Sequence, residues 1–273
     1  MGIEFQTYRS WEGTPKSVYR RVLAMIHKGV PLAFKSKWVI ALVILAYFFG
    51  VVSRLLSIIF MPVKFEPAFF QGFFNDGQLW FILLSAVVGS GLIADDVKHK
   101  SIVLYFSRLP KIGYLAGKFG VLAGVLSSVV LVPGVLLFTM VLLSSSASWD
   151  YIGSHLWILG AIITIGVFII MVLSSVSLAF SSLTSDKRYA GAGVFMIFLF
   201  SGIMAEVMKN ILGNDRLALI SIWDNIRVVS SHLFSLDNPY GFPWYESLVV
   251  LAAVLLCSTG ILYWTMYMRE VRV

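Results

Sequence analysis

This sequence has little charge and almost no cysteine. Asp, Glu, Lys and Arg make up 13% of its 273 residues, about half the share that soluble domains usually carry. Cys257 is the single cysteine, so a disulfide within the chain is excluded. The stretches between its long apolar runs are shorter than about 40 residues, a length that rarely folds alone. Together, the low charge and the short connecting segments exclude a water-soluble domain large enough to fold alone.

Ionisable side chains and catalytic motifs are also scarce where they would carry chemistry. Most of the apolar runs contain no Asp, Glu, Lys, Arg or His, which argues against a proton-coupled transporter or pump. The segment Gly113–Phe119 is similar to a phosphate loop, but its glycines are too close together and Phe119 replaces the magnesium-binding Ser or Thr. We therefore predict that the chain is not an enzyme and holds no catalytic residue, cofactor or metal.

Long apolar runs are what the sequence has in abundance. There are six, of which five are long enough to cross a hydrocarbon core: Trp38–Ile59, Leu79–Ala94, Phe119–Leu143, Trp157–Phe180, Ala190–Met208 and Ser247–Met268. The second has 16 residues, and we expect it to extend back through Asn75–Gln78. Since lipid offers no partner for backbone polar groups, each run must be a helix. The sequence predicts an all-α membrane protein with six transmembrane helices.

The distribution of positive charge predicts how these helices are oriented. With a cytoplasmic N-terminus, 16 of the 21 Lys and Arg residues fall on the cytoplasmic side, as basic residues do in membrane proteins. We therefore expect both termini in the cytoplasm. The net charge of +7 is then a signal of membrane topology, and we predict no nucleic-acid partner.

Two segments outside the runs have a helical pattern. In the tail 1–37, Val18, Val22, Met25 and Ile26 mark one apolar side of a basic helix that we expect over Pro15–Val30, ended by Pro31. Such a helix favours the cytoplasmic interface, where membrane lipid would be its partner; the alternative is a solvated helix. In the extracytoplasmic segment 209–246, we expect a short helix on the outer surface within Leu217–Leu236.

Glycines recur at helical spacing near the start of the third run. Gly113 and Gly117, and again Gly120 and Gly124, are four residues apart. Pairs at this spacing allow two helices to approach closely. Packing within one chain and dimerisation are both open at this point.

The strongest motif lies between the second and third runs. It contains two acidic residues, a basic turn, a short apolar helix and a basic stretch that leads back into the membrane. The residues that we single out are Asp95, Asp96, Lys98, Lys100, Ser101, Tyr105, Phe106, Arg108 and Lys111, followed by Tyr114–Lys118. This segment resembles the corresponding loop of permease subunits of the type-2 ABC exporter superfamily. A second inner loop with Asp186, Lys187 and Arg188 is similar to that family's second inner loop. The resemblance extends over the whole chain in topology, and sharply over about 40 residues.

The resemblance implies one permease domain over 1–273, with a six-span bundle at 38–268 and a coupling helix between spans 2 and 3. It implies two separate ATPase subunits that carry ATP and Mg, and a second permease copy or a related chain. It also implies export across the plasma membrane of a prokaryote. On physical grounds, the loop's charges could contact headgroups only or bind a partner, with Tyr105 and Phe106 as anchors.

Other functions remain as alternatives. Span 5 could line a pathway through Phe195, Met196, Phe198 and Met204, although such residues also face lipid or neighbouring helices. The apolar interior favours lipids, amphiphilic drugs or hydrophobic peptides over sugars and ions as substrates. A membrane scaffold or assembly factor that does not transport is the alternative function.

Overall fold

The computed structural model describes residues 17–60, 66–144 and 149–270, and these ranges form helices and their connections. The α-helices are α1 (Val18–Ala33), α2 (Lys37–Tyr47), α3 (Ser53–Phe60), α4 (Pro67–Lys98), α5 (Ile102–Phe106), α6 (Lys111–Ser144), α7 (Trp149–Leu183), α8 (Lys187–Leu212), α9 (Ile222–Leu233) and α10 (Trp244–Glu270). A π-helical turn at Phe48–Val52 joins α2 to α3, and a 3₁₀ segment at Asp215–Ile220 precedes α9. The predicted all-α class is confirmed.

Within the described ranges, six stretches are long and apolar enough to cross a membrane, as the sequence predicts: Lys37–Leu56, Pro67–Lys98, Lys111–Leu143, His155–Leu183, Lys187–Leu212 and Trp244–Met268. The second is much longer than expected, because α4 begins at Pro67 instead of near Asn75. Proline suits this first position, where its missing N–H would have no helical partner. With 32 residues, α4 is roughly 48 Å long at 1.5 Å per residue, longer than a hydrocarbon core.

The six spans divide into three central and three peripheral helices. In an apolar 18-residue part of each of α4, α6 and α7, 61%, 56% and 50% of the residues are buried. The corresponding shares are 22% for the first span, 17% for α8 and 22% for α10. A central bundle of α4, α6 and α7 therefore carries most of the core, with the other three spans packed around it.

Small residues and hydroxyl groups hold α4 against α7. The hydroxyls of Ser85 and Ser177 are hydrogen-bonded to each other, and a Cβ added at Gly89 would lie 2.6 Å from the Cβ of Ser177. Further along, the Ser181 hydroxyl donates to the carbonyl of Ser90 at 2.7 Å. Close approach and hydrogen bonds between spans are the usual sources of helix association in lipid, where hydrophobic burial contributes little.

The short helix predicted within Leu217–Leu236 is present as α9, but it packs into the bundle instead of lying on a surface. Eight of its twelve residues are buried. The ring of Trp223 lies 6.5 Å from that of Phe81 on α4, and the amide of Gln71 donates to Ser231 at 2.6 Å. The apolar side of α9 faces protein because α4, α7 and α10 surround it, and its serines find partners on α4. We call this part of the molecule the α9 end.

Helix α1 packs along the first third of α6. A Cβ added at Gly117 would lie 2.6 Å from Met25 Sδ, and one at Gly124 would lie 2.8 Å from Val30. The glycine spacing thus serves packing within one chain, and the apolar side of α1 covers it. The helix also continues through Pro31 to Ala33. A proline so near the end removes few hydrogen bonds. The start predicted at Pro15 lies outside the described residues.

Candidate functional site

The connection between α4 and α6 folds back onto the end of the central bundle. After Lys98, the N–H of His99 donates to the carbonyl of Asp95 at 3.0 Å. Lys100 then takes the left-handed conformation, with φ of 55°, and the chain reverses at once. The short helix α5 follows, with Ile102 buried. A helix therefore exists where the sequence predicts one, and we call this part of the molecule the α5 end.

The carboxylate of Asp96 is the centre of a polar cluster that joins α4, α5 and α6. Lys118 Nζ lies 2.6 Å from Asp96 Oδ2, and the Tyr114 hydroxyl donates to the same oxygen at 2.7 Å. The Ser101 hydroxyl donates to Asp96 Oδ1 at 3.1 Å. The Lys118 and Asp96 side chains are only 10% and 14% exposed. At such burial the loss of either charge would leave the other without compensation, which is costly.

Aromatic rings close this cluster from the side of α5. The rings of Tyr105 and Phe106 lie 5.4 Å and 5.6 Å from that of Tyr114. Lys118 Nζ lies 5.3 Å from the centre of the Tyr105 ring, within the range of a cation–π contact. Burial raises the pKa of the Tyr105 hydroxyl, and the nearby negative charge of Asp96 raises it further.

The aromatic side chains of α5 therefore point into the protein. Both residues are half-buried, with both rings against Tyr114 and only Tyr105 in contact with Lys118; their role as anchors for a partner stays a prediction. The outward side of α5 carries Val103 and Leu104 instead, of which Leu104 is 69% exposed. Contiguous exposed apolar side chains mark contacts with other proteins or with a membrane. We call Val103 and Leu104 the outer face of α5.

Basic side chains lie on the same connection. Lys98, Lys100 and Arg108 are exposed, and their contact with a partner stays a prediction. Lys111 lies over the Tyr267 ring of α10, with Nζ 5.0 Å from its centre. The backbone of Arg108 is fixed to α1, since its carbonyl accepts a hydrogen bond from the side chain of Arg21. The connection thus contacts α1 and α10 as well as the central bundle.

The second inner loop lies at the same end as α5. Lys187 Nζ and Asp95 Oδ2 are 3.5 Å apart, with side chains 60% and 40% exposed, so this ion pair is a weak surface contact. Asp186 is the N-cap of α8 and accepts a hydrogen bond from the N–H of Arg188 at 2.9 Å. The side chain of Arg188 is exposed. The structure therefore brings both predicted loops together.

Two residues of the Asp96 cluster, Tyr114 and Lys118, were not predicted as site residues, although both belong to the motif. A signal was present, because the two are four residues apart and share a face of α6. A carboxylate such as Asp96 at the end of a span also needs a buried cation or hydrogen-bond donors nearby. These two considerations together point to Lys118 as its partner.

The four candidate pathway residues do not share one surface. Phe198 is buried and Phe195 is half-buried, facing the bundle, whereas Met196 and Met204 are each 48% exposed on the outside of α8. The exposed methionines share the outer face of α8 with Phe200, Ile203 and Val207. Any pathway formed by α8 would therefore involve its outer face, without Phe198.

No family model matches this chain, and no curated protein matches it. Among the described residues, no group of three or more His, Cys, Asp or Glu side chains is arranged to hold a metal ion. What this site offers is a connection tied to the central bundle by the Asp96 cluster, with Val103 and Leu104 exposed on its other side.

Proposed function

We propose that this chain is the membrane-spanning subunit of an ATP-driven ABC transporter that works as an exporter. In this proposal two separate ATPase subunits carry ATP and Mg and dock at the α5 end. ATP binding moves the ATPases, and α5 passes the movement to the spans. The proposal rests on the sequence resemblance of Asp95–Lys118 together with the geometry of α5.

One observation carries the proposal, namely that one side of α5 is bound to the central bundle and the other side is exposed. On its inner side, the Asp96 cluster ties α5 to the ends of two central helices, α4 and α6. On its outer side, Val103 and Leu104 are exposed. Force applied by a partner to the outer face would reach both spans, since rigid elements transmit movement to packed helices.

The orientation and the membrane follow from charge. The basic connection Lys98–Lys111 and the second inner loop lie at one end, and α9 lies at the other. We assign the α5 end to the cytoplasm because basic residues concentrate there. The plasma membrane of a prokaryote is the location that the family resemblance implies.

A pathway for substrate requires a partner for the peripheral spans. Six spans are few for a conduit, and α8 buries only 17% of its apolar stretch. We propose that a second permease copy, or a related chain, completes the path. The apolar character of the outer face of α8 favours lipids or other amphiphiles as substrates.

Co-purification tests the proposal. The native complex, isolated from its source membrane in mild detergent, is expected to contain an ATP-binding protein, at one per copy of this chain if the second permease is another copy and at two if it is a related chain. Leu104→Asp places a charge on the outer face of α5 and is expected to reduce that protein at least tenfold, about 1.4 kcal/mol of binding free energy. Ile211→Asp is the matched control, because Ile211 is comparably exposed at 74% but lies at the other end of α8.

The same experiment decides against the alternative, a membrane scaffold that does not transport. A scaffold would be isolated without an ATP-binding protein, and its assembly would be indifferent to Leu104→Asp. Equal loss of the ATP-binding protein in both variants would indicate general damage and would remove the support for docking at α5.

A further inference from the structure

A groove opens on the outside of the bundle between α7, α9 and α10. Its volume is about 400 Å³, within the range of small-molecule sites. Its lining includes Val167 and Met171 of α7, Val229 and His232 of α9, and Trp244 and Leu248 of α10. The groove is unrelated to the α5 end and takes no part in the proposed docking.

The groove is apolar along its length and polar at one end. Thr164 also lines the groove, and its hydroxyl donates a hydrogen bond to the carbonyl of Gly160 at 2.8 Å. The imidazole of His232 stacks on the Trp244 ring, with centres 4.2 Å apart and planes 7° from parallel. Within the described part of the chain its ring nitrogens have no hydrogen-bond partner. His232 is therefore the polar group that a ligand in the groove would meet.

The two ends of the groove differ in depth. Trp244 is the first residue of α10, so the stacked pair lies toward the α9 end. Met171 is seven residues beyond Thr164 on α7, roughly 10 Å further along that helix. An occupant of the groove would thus place its polar group near the surface of the membrane and its apolar part toward the interior.

The groove opens on the side of the bundle that lipid would cover. Val167, Met171, Trp244 and Leu248 are each about two-fifths exposed, and all belong to helices long and apolar enough to cross a membrane. A molecule already dissolved in the bilayer could enter from the side. Water-soluble ligands would instead have to cross apolar surface to reach it.

We propose that this groove binds one acyl chain of a membrane phospholipid, with the ester linkage of that chain at His232. An ester carbonyl accepts a hydrogen bond from an imidazole N–H, and Trp244 is suited to the boundary between headgroups and hydrocarbon. A neighbouring transmembrane helix fits less well, because its backbone carbonyls are already paired and would leave His232 without an acceptor.

Photolabelling tests this site in the full chain. The probe is phosphatidylcholine with a diazirine in its acyl chain, present at low level in phosphatidylcholine nanodiscs, with labelled residues mapped by mass spectrometry. Labelling is expected to concentrate on Val167, Met171 and Leu248. Leu248→Trp fills the groove and is expected to reduce labelling of Val167 and Met171 at least fivefold, whereas Leu256→Trp, an exposed site on the same helix, leaves it unchanged.

A second variant tests the polar end without filling the groove. His232→Phe keeps a ring to stack on Trp244 and removes the N–H, and it is expected to lower the amount of phospholipid that stays bound through detergent washing. Labelling spread evenly over the exposed residues of α7 and α10, or unchanged by Leu248→Trp, would overturn the proposal. None of these results depends on an ATPase partner.

Discussion

The two ends of the bundle hold their connecting helices in different ways. At the α9 end, a twelve-residue helix is enclosed, with eight residues buried and neutral hydrogen bonds from Gln71 to its serines. At the α5 end, a five-residue helix rests on one buried ion pair and its aromatic cover, and its other side is exposed. An element fixed by burial moves with its surroundings, whereas one fixed by a few directional contacts can bind a partner and transmit its movement.

The comparison also explains how each end responds to change. Packing losses at the α9 end should be large and spread over several helices. At the α5 end the losses of stability should be concentrated in the Asp96 cluster. Most of the lost stability should be recovered when both charged partners are removed together.

The largest effect is expected at the α9 end. Trp223→Ala removes a buried ring that lies near Phe81, and we expect it to lower the free energy of unfolding by about 4 kcal/mol because a cavity remains. Ile220→Ala, at a 43% exposed site nearby, is the control. Reversible unfolding in detergent measures both. A loss below that of the control would show that α9 is not held by burial.

The next effect is expected from Lys118→Met at the α5 end. It leaves Asp96 buried without its cation, and we expect a loss of about 3 kcal/mol in the free energy of unfolding. The double variant Lys118→Met with Asp96→Leu is expected to recover most of this loss, because removal of both charges leaves no unpaired ion. Full additivity of the two single variants would contradict the ion pair.

A smaller effect is expected where α1 packs on α6. Gly120→Ala brings a Cβ against the side chain of Ile26, and we expect it to cost about 1 kcal/mol. Gly160→Ala is the matched control, since nothing lies within 4 Å of a Cβ there; it should be neutral or stabilising by about 0.5 kcal/mol. Protease resistance of α1, together with unfolding, measures the difference. Equal behaviour of the two variants would exclude close packing by α1.

The smallest effect concerns the pKa of Tyr105. Burial is the main cause of its increase and Asp96 the second, so Asp96→Asn should lower this pKa while leaving it above the ordinary value of 10.0. Because the pKa of Tyr105 is higher in the folded than in the unfolded chain, the protonated hydroxyl is compatible with folding. Its contribution to stability is complete below a pH of about 10, the unfolded pKa, and is lost as the pH rises through the folded pKa. Tyrosinate absorbance, as the difference from a Tyr105→Phe chain, measures the shift. An unchanged pKa would place Asp96 away from Tyr105.

Much of the fold could be predicted from the sequence, because hydrocarbon forces long apolar runs to be helices. The six spans and the short helix at Ile102–Phe106 were both predictable. The orientation of the Tyr105 side chain toward Tyr114 could not be predicted, since five residues are too few for a periodicity that defines a buried face. The burial of α9 was missed for a related reason. One apolar side suits a surface helix equally well, and Gln71, which donates hydrogen bonds to Ser230 and Ser231 of α9, lies far away in sequence.

The central claim is that a separate ATPase binds the outer face of α5. A photoreactive phenylalanine analogue at position 104, introduced in living cells, tests it most directly, with the same analogue at the inward-facing position 105 as the control. We predict that position 104 cross-links to an ATP-binding protein and that position 105 does not. Cross-links from position 104 to lipid alone, or to proteins on the outer side of the membrane, would contradict the claim.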